Sequence, residues 1–297
     1  VKRKRVTHTV SMERSLSKNE AKVVLDLEWR GQTSVTLGEL RHALGASDSY
    51  ARFFAHKLVQ KGWLERLRPG LFRLVPASRG REGVADANPL AAGAVLIAPY
   101  FFSFGTACTY HGLTEQVFAE VYIACQERRR PVVVRGKRYV FVEVPEERFF
   151  GFTEQTVLGE PVQMATLERA LLDALDRPQH AGGLGEVSRI VSRAAARISW
   201  PALLDLAHRW QAAAVVQRLG CLLDLHRADI PAEARSELIA LTEGASKIQL
   251  GPRAKWGYAG KLVRPWNVVE NVPRDVLVSS VDQGRRRVVF RSKGAGP

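Results

Sequence analysis

Apolar residues recur at helical spacing through Ser47–Gly62, SDSYARFFAHKLVQKG, where Ala51, Phe54, Ala55, Leu58 and Val59 fall at i, i+3, i+4, i+7 and i+8. The opposite face carries Ser49, Arg52, Phe53, His56 and Lys57, a set of cationic, hydrogen-bonding and flat groups. Upstream, Lys18–Arg30 repeats the pattern, with Ser17 as N-cap and Ala21, Val24, Leu25 and Leu27 expected to face inward. A short helix over Thr36–Leu44, capped by Thr36 or the residues just before it, then stops at Gly45, a residue suited to the left-handed turn that ends helices. Downstream, WLERL and LFRLV flank Arg68-Pro69-Gly70, which predicts a hairpin with a basic tip. Helix, helix, tight turn, helix and hairpin in this order predict a winged helix-turn-helix.

The remaining pattern is mixed. Short helices are expected at Pro89–Ile97 and in PYFFSFGTACTYHGLTEQ, centred on Gly105–Tyr110 and stopped by Gly112, then strands at Glu120–Cys125, Pro131–Val134, Arg138–Val144, Phe149–Val157 and Pro161–Met164. Helices follow from Thr166 and at Gly185–Arg197, Trp200–Trp210, Ala212–Arg227 and Pro231–Leu241, with extended runs near Leu262–Val269 and Arg287–Arg291. The predicted fold class is α+β: an N-terminal winged helix-turn-helix and a larger C-terminal region combining a small sheet with a helical bundle. The predicted organisation is a basic arm over 1–16, the winged helix over 17–76, a linker over 77–88 and the C-terminal region over 89–297.

Charge sharpens this reading. The chain has 297 residues and a formal net charge of +14. Residues 1–80 contribute 16 Lys/Arg against 7 Asp/Glu, residues 81–251 contribute 18 against 20, and residues 252–297 contribute 10 against 3. Basic charge therefore sits at the two ends, and one end carries the winged helix, which makes a polyanion the expected partner. On the predicted recognition helix, Arg52 and His56 are expected at base edges and Ser49, Tyr50 and Lys57 at phosphates, with Phe53 on the same exposed face. Arg66, Arg68 and Arg73 of the wing would add backbone or minor-groove contacts. Lys2, Arg3, Lys4 and Arg5 form an arm that can follow phosphates. In GPRAKWGYAGKLVRPW, Arg253, Lys255, Lys261 and Arg264 alternate with Trp256, Tyr258 and Trp266, a composition that suits single-stranded nucleic acid or a protein interface.

Catalytic motifs are missing. The sequence lacks the phosphate-binding, zinc-protease and nucleophile-elbow patterns, and no histidine has a second histidine at i+4. Glu168, Asp173 and Asp176 are expected to be salt-bridged on a helix surface; Glu143, on a strand near Lys137, resembles a nuclease carboxylate only faintly. Cys108, Cys125 and Cys221 are odd in number, lie in apolar contexts and read as buried free thiols. No apolar run reaches the roughly 20 residues of a membrane span, and VKRKRVTHTV has no apolar core of a secretory signal. The expectation is a cytoplasmic protein that is not an enzyme and needs no metal or cofactor.

Four stretches occur in a telling order: RLRPGLFRLVP, GTACTYHGLTEQ, TLERALLDAL and VVQRLGCLLD. Together they resemble the AbiEi antitoxin family, in particular its MenA-type members. Thr106-Ala107-Cys108 depart from the small-residue pair and Leu more usual there. The resemblance implies a transcriptional autorepressor that binds operator DNA upstream of its own operon, and an antitoxin for a nucleotidyltransferase-like toxin. It carries over no catalytic residue. Two other readings fit the residues alone: a ligand-sensing winged-helix repressor, and a nuclease delivered to DNA by its winged helix.

Overall fold

The computed structural model describes residues 14–79 and 88–278. The basic arm at Lys2–Arg5, most of the linker and the extended run at Arg287–Arg291 lie outside them. The described residues divide into two compact units, one reaching Ala98 and including Val134–Gly136, the other comprising Pro99–Val133 and the chain from Lys137 onward. The architecture is α+β.

In the first unit, α1 (Lys18–Trp29) starts in a capping box, where the Ser17 N–H donates to Glu20 at 2.7 Å. A three-residue strand, β1 (Ser34–Thr36), leads into α2 (Leu37–Leu44), which opens on a second capping box between Thr36 and Glu39. Gly45 closes α2 at φ 56°, a left-handed conformation that costs a residue with a Cβ. Then α3 (Asp48–Gln60) begins, capped by Ser47, and the wing follows as β2 (Leu64–Arg68) and β3 (Leu71–Leu74). The three strands form one antiparallel sheet in the order β1-β3-β2. Val24, Leu27, Val35, Leu40, Phe54, Leu58, Trp63 and Phe72 close the core beneath it. A single buried Leu or Phe of this kind stabilises by about 1.5–3 kcal/mol.

Two expectations need correction here. Leu25 does not face inward: it is 58% exposed, because the buried stripe of α1 runs through Val23, Val24 and Leu27, and Leu25 falls a half-turn away. Arg73 is not on the wing surface: all four residues of β3 are buried, and Arg73, 5% exposed, sits in register between Ser34 and Glu65. The first unit also holds α4 (Pro89–Ala94), capped by the Asn88 side chain, which accepts from the Leu90 N–H at 3.0 Å.

The second unit is built on a six-stranded sheet. Its strands are β4 (Tyr100–Phe102), β5 (Glu120–Cys125), β6 (Val132–Val134), β7 (Lys137–Glu143), β8 (Phe152–Val157) and β9 (Glu160–Ala165), in the order β6-β7-β5-β4-β9-β8. The sequence pattern hid β4 inside a predicted helix. Phe101 and Phe102 are fully buried in this central strand, and α5 (Phe104–Tyr110) starts only after Ser103. Helices α6 (Leu167–Asp176), α7 (Leu184–Ala194), α8 (Trp200–Trp210), α9 (Ala213–Leu225) and α10 (Ala232–Ala240) form the bundle. A small second sheet, β10 (Ile248–Gln249), β11 (Lys261–Val263) and β12 (Val268–Glu270), has β12 in the middle, with α11 (Arg253–Trp256) before β11 and α12 (Arg274–Leu277) closing the described chain.

The three downstream motifs meet in the core of this unit, where α6 packs on α5, α7, α8 and α9. Gly220 of α9 lies flat against the Trp266 indole, and a Cβ there would enter the ring. The indole N–H donates to Asp224 at 2.7 Å. The expected salt-bridged surface of α6 is in part interior: Asp176 stays partly exposed beside Arg177 at 3.6 Å, but Arg169 is fully buried and Asp173 is 2% exposed. Arg169 pairs with Asp173 through Nε at 2.9 Å and Nη2 at 3.1 Å, and donates from Nη1 to the Arg148 and Phe150 carbonyls. Phe101, Phe150 and Trp210 enclose its guanidinium, with centroids at 5.0, 5.2 and 4.4 Å. Ser103 Oγ donates to the same carboxylate, and Glu168 accepts from the Ser199 N–H at 2.9 Å. Every motif residue just named is thus occupied in holding elements together.

Candidate nucleic-acid interface

The sequence places Ser47 and Asp48 immediately after a glycine turn, and this fixes where α3 begins. The Ser47 hydroxyl accepts from the Tyr50 N–H at 3.4 Å, and Arg41 of α2 reaches across the turn to Asp48 at 3.2 Å. At the other end, Lys61 donates to the buried Glu20 of α1 at 2.6 Å. Burial pushes the Glu20 carboxyl up, but hydrogen bonds from Lys61 and the Ser17 N–H outweigh it and hold the group below its ordinary value. The helix is therefore tied at both ends to its two neighbours, while Ala51, Phe54, Ala55 and Leu58 anchor its inner face.

Its outer face presents Ser49, Tyr50, Arg52, Phe53, His56 and Lys57, all exposed. Tyr50 is 44% and Phe53 53% exposed, with ring centroids 6.4 Å apart. Lys57 Nζ lies 4.7 Å from the Phe53 centroid, a placement that keeps the ammonium at the surface over an apolar ring. Neither Arg52 nor Lys57 forms an ion pair with a described carboxylate. Uncommitted cations on a fixed helix are what a polyanion can use.

The wing supplies two more. Arg66 and Arg68 are exposed on β2, and a register shift between them turns the strand just before Pro69-Gly70. The Gly70 carbonyl accepts from the Leu37 N–H at 2.9 Å, so the wing tip is tied to the start of α2. Arg73 stays out of this surface. Sequence reasoning missed two exposed groups, Leu25 and Trp29, the latter 86% exposed at the end of α1; their i, i+4 spacing on a helix predicted to be half-buried was the available signal.

All three cysteines are buried, and burial raises each thiol, Cys221 to about 12. Among the described residues there is no cluster of potential metal ligands, and no helix is long and apolar enough to cross a membrane. Glu143 lies at the end of β7, opposite Cys125.

Comparison with known proteins bears on this geometry. The chain superimposes on the crystal structure of the RV2827C protein from Mycobacterium tuberculosis with a TM-score of 0.60 and 16% identity, covering 91% of this chain and 97% of that one. The two share a fold. Comparison with curated protein sequences gives no match. The segment from within α1 to the end of the wing, residues 25–75, matches the model of a family of transcriptional regulators, the AbiEi antitoxins, which is the family the sequence resembles.

Proposed function

We propose that this protein is a DNA-binding autorepressor that also serves as antitoxin to a nucleotidyltransferase-like toxin. The family match supports the transcriptional-regulator and antitoxin role in general. The observation that carries the DNA reading is the outer face of α3: Arg52, His56 and Lys57 exposed, with Arg52 and Lys57 free of ion pairs to described carboxylates, on a helix tied at both ends. In this reading α3 enters the major groove, where Arg52 and His56 meet base edges. Ser49, Tyr50 and Lys57 hold phosphates, Phe53 packs against sugar or a thymine methyl, and Arg66 and Arg68 reach the neighbouring backbone. Residues 17–76 are the DNA-binding domain, 77–88 a linker, and 89–297 the region that serves the antitoxin role, in the cytoplasm.

Fluorescence anisotropy of the full chain on the DNA upstream of its own gene, beside a scrambled duplex, tests the DNA half of this reading. Arg52→Ala is expected to weaken operator binding by about 1–3 kcal/mol and to narrow the gap between the two duplexes. Unchanged operator affinity for that variant would sink the recognition-helix assignment. Co-expression with the product of the adjacent gene, scored as relief of growth arrest, tests the antitoxin half.

A further inference from the structure

The segment between α10 and α12 is strongly basic. From Arg253 to Val269 there is no acidic residue. Near it in the chain, Arg235 pairs with Asp224 at 2.7 Å and Arg274 with Glu270 at 2.7 Å, while Arg253 Nε donates to the Gln249 side-chain carbonyl at 2.6 Å. Arg253, Lys255, Lys261 and Arg264 are exposed, and none of them pairs with a described carboxylate. Glu270 stands opposite Lys261 in the sheet register, yet both its oxygens go to Arg274.

Two aromatic rings accompany these cations. Tyr258 is 69% exposed, and the Arg253 guanidinium lies 5.0 Å from its centroid; Lys255 Nζ lies 4.8 Å from the half-buried Trp256 ring. The backbone beneath is fixed. Asn271, 6% exposed, donates to the Gly251 carbonyl at 3.1 Å and the Gly257 carbonyl at 2.9 Å, and accepts from the Gly251 N–H at 2.9 Å. Gly260 lies so close to the Glu270 and Asn271 backbone that a Cβ would collide with it. The loop bearing Tyr258 is thereby pinned on both sides.

From this arrangement we infer that Arg253–Arg264 is a binding site for single-stranded nucleic acid, distinct from the winged helix. A base stacks on the Tyr258 ring or the Arg253 plane, while Lys255, Lys261 and Arg264 follow the phosphates. A duplex keeps its base faces stacked internally and gains nothing from an exposed ring. An acidic polypeptide would use the cations and leave the ring without a role. Fixing the loop in advance lowers the ordering cost of binding.

The test uses the full chain with labelled 12-nucleotide oligouridylate and oligothymidylate, a 12-base-pair duplex, and polyglutamate of matching charge. Wild type is expected to bind both single strands, and their ratio reports whether the 2′-hydroxyl contributes. Tyr258→Ala is expected to lower single-strand affinity by at least about fivefold, with Tyr258→Phe close to wild type and neither variant changing duplex or polyglutamate binding. Arg253→Ala combined with Lys255→Ala should weaken single-strand binding further and flatten its salt dependence. Failure of wild type to bind either strand, or an unchanged affinity in Tyr258→Ala, overturns the proposal. An equal loss toward polyglutamate also overturns it, in favour of an acidic protein partner. Because Arg52→Ala acts on the duplex alone, failure here and failure of the operator-binding reading are separable.

Discussion

Salt dependence turns the proposed interface into a count. Three exposed cations assigned to phosphates, Lys57, Arg66 and Arg68, have no described carboxylate partner. If each displaces one counterion from B-DNA, together they contribute a slope of about −2.7 to the plot of log affinity against log salt. Between 50 and 200 mM salt this is a loss of about 40-fold. Basic segments outside the described residues add their own part to wild type and variants alike, so the difference between proteins is the informative quantity. Arg66→Ala with Arg68→Ala is expected to make the slope shallower by about 1.8, cutting the salt-induced loss about 12-fold. Arg73→Gln should leave the slope where it is, since its side chain is buried beside Glu65, though it will cost stability. Anisotropy titrations at five salt concentrations measure all three. A slope unchanged by the double substitution, or one flattened by Arg73→Gln, would refute the assignment of the wing cations to phosphates.

Two further outcomes follow from the packing and the titratable groups. Arg169→Met leaves Asp173 buried without its cation and removes the donors to the Arg148 and Phe150 carbonyls, so urea unfolding should show a loss of about 3–5 kcal/mol; a loss below about 1 kcal/mol would show that the network is not structural. Glu20 is held below the ordinary glutamate value, so it contributes stability above about pH 4.3 that is lost as the pH falls through its folded value. Lys61→Met removes one of the bonds holding it down, and the acid-unfolding midpoint followed by hydrogen exchange of the α1 and α3 amides should move up; an unmoved midpoint would mean that the Ser17 cap alone fixes the carboxylate.

Much of α3 and its turn was legible in the sequence because its signals are local. A 3.6-residue apolar stripe, a left-handed Gly45 and a Ser47 cap are each readable within a few residues, and they agree on where α3 starts and which face is free. What was not legible depends on neighbours distant in the chain. Strand β1 is three residues long and has no period of its own; it exists because β3 pairs with it. Strand β4 runs straight into α5, so its aromatic residues read as the first turn of a helix. Arg73 alternates correctly for an exposed wing position, but β3 is the central strand and is covered on both faces. Arg169 and Asp173, at i, i+4, look like an ordinary solvent-facing pair; only the aromatic rings brought by β4, the Arg148–Phe150 segment and α8 make them interior.

The Arg41–Asp48 bridge across the turn sets a limit on how a polyanion can approach. Free amides at a helix start ordinarily attract phosphate. Here the Ser47 hydroxyl already takes one of them, and the Asp48 carboxylate stands over the first turn as a negative gatekeeper. A phosphate seated on the free amides at the tip of α3 would face that carboxylate at close range, and would have to win Arg41 away from it. In the proposed complex the phosphates held by Ser49 and Tyr50 would therefore meet their side-chain hydroxyls, with Arg52 and His56 a turn further along at the bases. On this reading Asp48 acts as a stop that sets the register of the helix, so that Asp48→Asn should broaden the range of duplexes accepted instead of tightening the hold on one.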